Sequence, residues 1–525
     1  MNPQLTQLRY TLPLLVALCA IAPCGAQSQN GAGSPAASAA KDGSIPARPE
    51  QLAFPPLKYE PPVPAEYRVV LKTGSIAYIV PDHELPLVNI SVLVRTGEYV
   101  DPAGKEGLAD LTGFLMARGG TKSWTASELE EKLAFLAAQL GSGVNDTRGT
   151  VSLNLLSKDL DQGLSILRET LSTPRFEESR IALRKQQLFQ EMQQRNDDSS
   201  SIEGREAEFL AYGEQFWVNQ YTTAASLKAV TKEDLESFHK RFFYPSNFVL
   251  AVSGDFDRDQ MLSKLEQLFS DWPFQGETAP PIPTNTVFAQ HGAYIVDKDV
   301  NQGRVAIMLP GIKRENPDYF TAFVMNDILG GGGFTSRIMN RVRSDEGLAY
   351  SAYSTFPGGV YYPLTFTAGF QSKSRTVAYA ASIVLEEMKK IAAEPVTDQE
   401  LETSKRGLID RFPRIFASKS QVAATFADDE FTGRYARDPE FWKNYRARVE
   451  AVGKADVLRV AKKYLDPEKA VILVVGQRDQ VLLGYPGHDV KLADLGGGRL
   501  VDLPLRDPLT MKPMDPQPKK ESLTR

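Results

Sequence analysis

LKAVTKEDLESFHKRFFYPSNFVLAVSG, residues 227–254, returns in altered form as VEAVGKADVLRVAKKYLDPEKAVILVVG, residues 449–476, without a gap and at a constant offset of 222 positions. Ala229-Val230 meets Ala451-Val452, Lys232 meets Lys454, Asp234 meets Asp456, Pro245 meets Pro467 and Gly254 meets Gly476. Each copy reads as a capped helix, a proline turn and a β-branched, apolar strand. One unit used twice at this distance divides the chain into two homologous halves.

Outward from the repeat, other pieces fit the same unit. Thr125-x-x-Glu128 and Thr397-x-x-Glu400 have the capping-box spacing, in which hydroxyl and carboxylate satisfy free amides at a helix start. Val151, Leu153 and Leu155, and again the run Val305 to Leu309, carry strand-like apolar residues. Helices on one side of mostly antiparallel sheets give an α+β class. The expected architecture is a clamshell of two halves, residues 65–271 and 293–485, each long enough for two α/β-sandwich subdomains. Residues 272–292, with Pro273, Pro280, Pro281 and Pro283, read as the linker between them. Residues 27–64, rich in Ala, Ser, Gly and Pro, read as a disordered leader, and residues 486–525, ending in a Pro-rich stretch with Lys519-Lys520, as an extended tail.

At 525 residues, 42% hydrophobic and 24% charged, the chain has the composition of an ordinary multidomain globular protein. Arg9 ahead of the apolar stretch Leu12 to Ala22, then Cys24-Gly25-Ala26, matches a secretory signal peptide, residues 1–26, cleaved after Ala26. Export is expected, to the periplasm if the organism is Gram-negative. An uncleaved anchor and a lipoprotein on Cys24 are the alternatives, and Pro23 argues against lipidation. Both cysteines, Cys19 and Cys24, fall within the signal, so the mature chain would have no disulfide or thiolate metal site. No later apolar run is long enough for a membrane span. Removing Arg9 takes the formal charge from -5 to -6, and this mild acidity without basic blocks gives no footprint for nucleic acid.

Residues 94–121, VRTGEYVDPAGKEGLADLTGFLMARGGT, resemble a segment of the insulinase/pitrilysin (inverzincin) metallopeptidases: R-x-G-S-x-x-E, then G-L-A-H-F-L-E-H-M, then G-T. The framework residues Gly97, Gly107, Leu108, Ala109, Met116, Gly120 and Thr121 are present. The resemblance covers nearly all of residues 65–480. In active relatives the H-x-x-E-H box supplies two zinc-binding histidines one helical turn apart and a glutamate that activates the metal-bound water. Here those positions hold Asp110, Gly113 and Phe114. The downstream zinc-binding glutamate is matched by Glu191 in LFQEMQQRNDD, a vestigial ligand whose ordinary reading is a solvated or salt-bridged helix carboxylate. His83, His239, His291 and His488 offer no replacement pair at i, i+4. The expectation is therefore no metal on this chain.

The second half keeps its own pattern. Residues 328–353, ILGGGGFTSRIMNRVRSDEGLAYSAY, resemble the family's L-G-G-G-x-x-S-R-L, L-R and G-L-A-Y strings. The resemblance implies that Arg343 and Tyr350 are the Arg/Tyr pair that reaches the substrate carbonyl, where guanidinium and phenol donate to developing negative charge. From the residues alone, Arg343 could equally pair with Asp345 or Glu346 while Tyr350 fills the core. No Lys-Ser/Thr follows Gly330 to Gly333, so a P-loop is a poor reading, and Gly331 and Gly332 read as a loop bordering a peptide groove or as a plain helix-start turn. Residues 143–147, Gly-Val-Asn-Asp-Thr, resemble the family's G-x-x-N-A-x-T strand, with Asp146 where Ala is usual. On that match Gly143 and Asn145 lie on a strand edge that pairs with extended substrate.

One half has lost its box and the other keeps its pair. The resemblance implies a non-catalytic subunit that joins a zinc-bearing paralogue as a heterodimer or heterotetramer, closes around an unfolded peptide and supplies Arg343 and Tyr350, with zinc on the partner chain. The alternatives are a stand-alone peptide-binding or scaffold protein of the same fold, and a peptidase with unorthodox ligands that include Asp110 and Glu191.

Overall fold

The computed structural model describes Arg48, residues 59–272 and residues 276–515; the expected signal peptide, nearly all of the leader and Lys519-Lys520 lie outside the described residues. In the first half six strands, β1 (Arg68–Val70), β2 (Ile76–Pro81), β3 (Leu87–Val94), β4 (Gln139–Asn145), β5 (Arg148–Leu156) and β6 (Phe248–Gly254), form one sheet in the order β1-β2-β6-β3-β5-β4. Only β2 and β6 run parallel. In the second half come β7 (Gly292–Asp297), β8 (Gln302–Leu309), β9 (Ile312–Lys313), β10 (Ala349–Thr355), β11 (Gly358–Gly359), β12 (Phe366–Lys373), β13 (Val471–Gly476) and β14 (Leu500–Leu503). Its sheet has the order β10-β12-β8-β13-β7-β14, with β9 and β11 paired apart. The path β4-β5-β3-β6-β2 is thus repeated as β10-β12-β8-β13-β7. The α+β class with two homologous halves holds.

The expected second subdomain in each half does not form. Each half closes around one six-stranded sheet, because the remaining residues are spent on helices that cover its faces. The repeat is visible at atomic detail. Helices Lys232–Phe242 and Lys454–Tyr464 occupy its two copies, and Thr231 with Asp234 forms a capping box whose second copy keeps only the carboxylate, Asp456 accepting from the Gly453 amide at 3.1 Å. Thr125 with Glu128 and Thr397 with Glu400 also form capping boxes. Gly254 explains the repeated glycine at the strand end: its φ is +132°, and a Cβ there would lie 2.0 Å from the Leu87 carbonyl oxygen.

Side chains alternate along the strands as the pleat requires. Ala77, Ile79, Leu250 and Val252 face the first half's own helices, among them Leu108–Arg118, Lys232–Phe242 and Arg258–Phe269. Tyr78, Val80, Val249 and Ala251 face the other way and join the core of the second half, under helix Lys419–Phe431. The arrangement is reciprocal. Tyr294, Val296, Met308, Leu473 and Val475 are covered by Ile202 and Leu210 of helix Ser199–Tyr212 from the first half. Both central strands, β6 and β13, are buried throughout.

Arginines of the receiving half hold each crossing helix. Arg68 grips Glu430 through two nitrogens at 2.8 and 3.1 Å, the Tyr78 hydroxyl donates to the same carboxylate at 2.9 Å, and Arg148 pairs with Asp428 at 2.7 Å. In the other direction Arg304 pairs with Glu203, and Arg506 with Glu206, both at 3.2 Å. Arg506 belongs to the stretch read as an extended tail. Instead of running free, residues 500–503 add β14 parallel to β7, and the Arg506 guanidinium lies 3.8 Å over the Phe209 ring. Up to Gly292, where β7 begins, the linker has no regular element among its described residues, yet it docks along the first half: Val287 donates its amide to the Tyr212 carbonyl at 3.0 Å and Ala289 to that of Leu210 at 2.7 Å.

His239, on helix Lys232–Phe242, is buried, donates Nε2–H to the Leu171 carbonyl at 2.8 Å and stacks on Phe243. Burial lowers its pKa from 6.5 to about 4. The unfolded chain therefore binds a proton at His239 that the folded chain refuses between those values, so the His239 contribution to stability rises with pH from about 4 to 6.5 and then levels off. Denaturant titrations of the unsubstituted chain and of His239→Gln across that range should differ by this slope, worth at most about 3 kcal/mol.

Candidate functional site

The region of the degenerate box is built by helix Leu108–Arg118, helix Glu178–Gln193 and edge strand β4. Gly107, at φ +95°, precedes the first helix, and Asp101 accepts from the amides of Gly107 at 2.8 Å and Ala109 at 2.9 Å, tying down its start. Burial raises the Asp101 carboxyl to about 7 against these hydrogen bonds. Nearby, loss of solvent and the proximity of Asp146, Asp110 and Asp101 push Glu98 up to about 8.

Asp110, Phe114 and Glu191 do come together, and what joins them is a residue the sequence reading passed over. Arg184 reaches between the two helices, placing Nη1 2.8 Å from Glu191 Oε1, Nη2 3.8 Å from Asp110 Oδ2, and its guanidinium carbon 4.4 Å over the Phe114 ring. Its side chain is 16% exposed. Burial raises the Asp110 pKa, Arg184 opposes that shift and Glu191 reinforces it. The spacing held a signal: Arg184 lies seven residues before Glu191, two turns away on the same helix face.

Gly113 is enclosed as well. A Cβ at this position would meet the Val144 amide nitrogen at 2.1 Å and the Gly143 carbonyl carbon at 2.5 Å, so the helix touches the β4 backbone directly. Ser142 locks the contact, donating its hydroxyl to the Gly113 carbonyl at 2.5 Å and accepting from the Ala117 amide at 2.9 Å. Gly143 and Asn145 lie on β4, the last strand of its sheet, and a side chain at Gly143 would meet nothing within 4 Å. A groove of 760 Å³ at the start of β4 is lined by Leu140, Gly141, Ser152 and, from the second half, Ala423.

A zinc ion does not fit these residues. Phe114 has no donor atom, Gly113 has no room for a base, and the two carboxylates already share a guanidinium. Among the described residues no group of three or more His, Cys, Asp or Glu side chains is placed to hold a metal ion.

Arg343 and Tyr350 stand together elsewhere. Tyr350 is on β10, the edge strand corresponding to β4, and is 88% exposed. The Arg343 guanidinium lies between the rings of Phe334, at 4.5 Å, and Tyr350, at 5.3 Å. Asp345 and Glu346 are taken by Arg341 instead, at 3.6 and 3.8 Å, so the reading of an Arg343 ion pair and a buried Tyr350 is corrected. Among the described residues neither the Arg343 guanidinium nor the Tyr350 hydroxyl has a hydrogen bond or ion pair, and none links this pair to the Arg184 cluster. Gly331 lines a separate groove of 610 Å³ with Asn326, Ser354 and Phe356, while Gly332 packs back on its own turn, its would-be Cβ 2.7 Å from the Asp327 carbonyl oxygen.

A family model described as "Insulinase (Peptidase family M16)" matches residues 78–208, and one described as "Peptidase M16 inactive domain" matches residues 229–408. The chain belongs to the insulinase family, peptidase M16. It is an inactive-type member, with Asp110, Gly113 and Phe114 in the box. The chain is 27% identical over 343 residues to the "Non-peptidase homolog YmxG" of Helicobacter pylori, covering 63% of this chain and 76% of that protein. It is 23% identical over 411 residues, 74% of each chain, to the "Probable mitochondrial-processing peptidase subunit beta, mitochondrial" of Arabidopsis thaliana. In fold it is similar to the solved peptidase M16 inactive domain from Pseudomonas fluorescens, with a TM-score of 0.69 and 22% identity over 78% of this chain and 97% of that one.

The helix–strand contact at Gly113 gives this M16 chain a stability test. Gly113→Ala should lower its unfolding free energy by about 1–3 kcal/mol through overpacking against backbone, and Gly113→Glu should cost more. Thermal and denaturant unfolding of the variants measures both.

Proposed function

We propose that this chain is the non-catalytic subunit of a heteromeric zinc peptidase, binding an unfolded peptide and presenting Arg343 and Tyr350 to a zinc-bearing paralogue. The observation that carries the reading is the unspent pair. A guanidinium aligned between two rings and an exposed phenol, neither with a side-chain hydrogen bond or ion pair among the described residues, are donors available to a group outside the chain. Such donors stabilise an oxyanion as charge develops on a scissile carbonyl. The open edges of β4 and β10 supply backbone groups for an extended peptide, with Gly143, Asn145 and the groove at Gly331 beside them. Zinc would sit on the paralogue, and the chain would act after export, in the periplasm of a Gram-negative cell. The Arabidopsis relative, by name one subunit of a processing peptidase, supports the pairing.

Coexpression with a zinc-type paralogue tests this directly. The expected result is a stable complex, whether heterodimer or heterotetramer, with zinc and peptidase activity absent from this chain alone. Arg343→Ala and Tyr350→Phe should assemble normally and lower kcat by about 100-fold or more. Unchanged turnover in a fully assembled Arg343→Ala complex would sink the assigned role. The name of the Helicobacter relative, a non-peptidase homolog, favours the second reading, a stand-alone peptide-binding scaffold. A monomer that captures unfolded peptide and never acquires activity would establish it.

A further inference from the structure

We infer that Arg184 is a built-in cation that takes the place of a metal in the degenerate box, holding the two residual carboxylates together and excluding metal from them. Three contacts converge on one group. The guanidinium bonds Glu191 at 2.8 Å, reaches Asp110 at 3.8 Å and lies 4.4 Å over Phe114, at the three positions that match the metal-binding residues of active relatives. Guanidinium suits such a place because it stays charged when desolvated, presents several donors in one plane and stacks on an aromatic face. Phe114 therefore serves as the platform for the cation, and the loss of a donor atom at that position follows from what now sits above it. Nε of Arg184 is buried without a partner, so the side chain is placed by its terminal nitrogens and ring contact alone.

The replacement is also mechanical. Helix Leu108–Arg118 and helix Glu178–Gln193 meet at this point, and Arg184 with Glu191 on one and Asp110 with Phe114 on the other form their polar joint. The joint needs neither a bound ion nor a partner chain, so it stands apart from the proposal for Arg343 and Tyr350. It also means that restoring the ligands alone would not restore a site, because the cation would still lie between them.

Cobalt(II) is the probe. In the full chain, Asp110→His/Phe114→His with Arg184 retained should take up no stoichiometric cobalt, whereas adding Arg184→Ala to the same background should yield one equivalent with visible d–d absorption. Equal binding by both would overturn the inference, and so would no binding by either, since Arg184 would then not be what excludes the ion. Thermal unfolding of the otherwise unaltered chain supplies a second readout. Arg184→Met should lower the midpoint, Arg184→Lys should retain part of the loss, and addition of a chelator should leave the midpoint of the unsubstituted chain unmoved. An Arg184→Met midpoint equal to that of the unsubstituted chain would overturn the surrogate role.

Discussion

Everything in this molecule rests on an exchange of helices between its halves. A sheet whose central strands are apolar on both faces needs cover on both, and each half's own helices cover only one. Tyr78, Val80, Val249 and Ala251 would lie in water without helix Lys419–Phe431, as would Tyr294, Met308 and Leu473 without helix Ser199–Tyr212. Burial of such side chains is worth on the order of 1.5–3 kcal/mol each, so the exchange is a principal contribution to the whole fold. Duplication of one unit made this possible, because two copies of the same uncovered face can satisfy each other.

Charge gives the exchange its register. Apolar faces slide, whereas a carboxylate held by an arginine does not, and each crossing helix carries such carboxylates at its rim. Glu430 and Asp428 answer to Arg68 and Arg148, and Glu203 and Glu206 to Arg304 and Arg506. The last arginine arrives from the far end of the chain. Because of it, residues 500–506 belong to the architecture, closing one edge of the second sheet and gripping a helix of the first half.

The box region shows what happens to a catalytic geometry once its chemistry is gone. The helix lies against the β4 backbone at Gly113, a carboxylate pair is bridged from within by Arg184, and a phenylalanine supports the cation. The second half has gone the opposite way, leaving the side chains of Arg343 and Tyr350 without a hydrogen bond or ion pair among the described residues while Arg341 satisfies the neighbouring acids. The asymmetry between a closed first half and an open second half accounts for why the described residues present free donors in the second half and no metal-holding cluster in the first.

Much of this was written in the sequence by itself. The 222-residue offset determined the duplication, Thr125-x-x-Glu128 and Thr397-x-x-Glu400 determined two helix starts, and Asp110, Gly113 and Phe114 determined the loss of the box. These are short-range matters: a capping residue acts within one turn, strand alternation within a few residues, and a missing donor atom is missing in any fold. Tertiary structure alone decided the single sheet per half, the crossing helices, the docked tail, and which of Arg341 and Arg343 takes Asp345 and Glu346. It alone decided that Arg184 lies between Asp110 and Glu191. The physical reason is that a charge chooses its partner by distance in space, and residues 110 and 184 become neighbours only after two helices have packed.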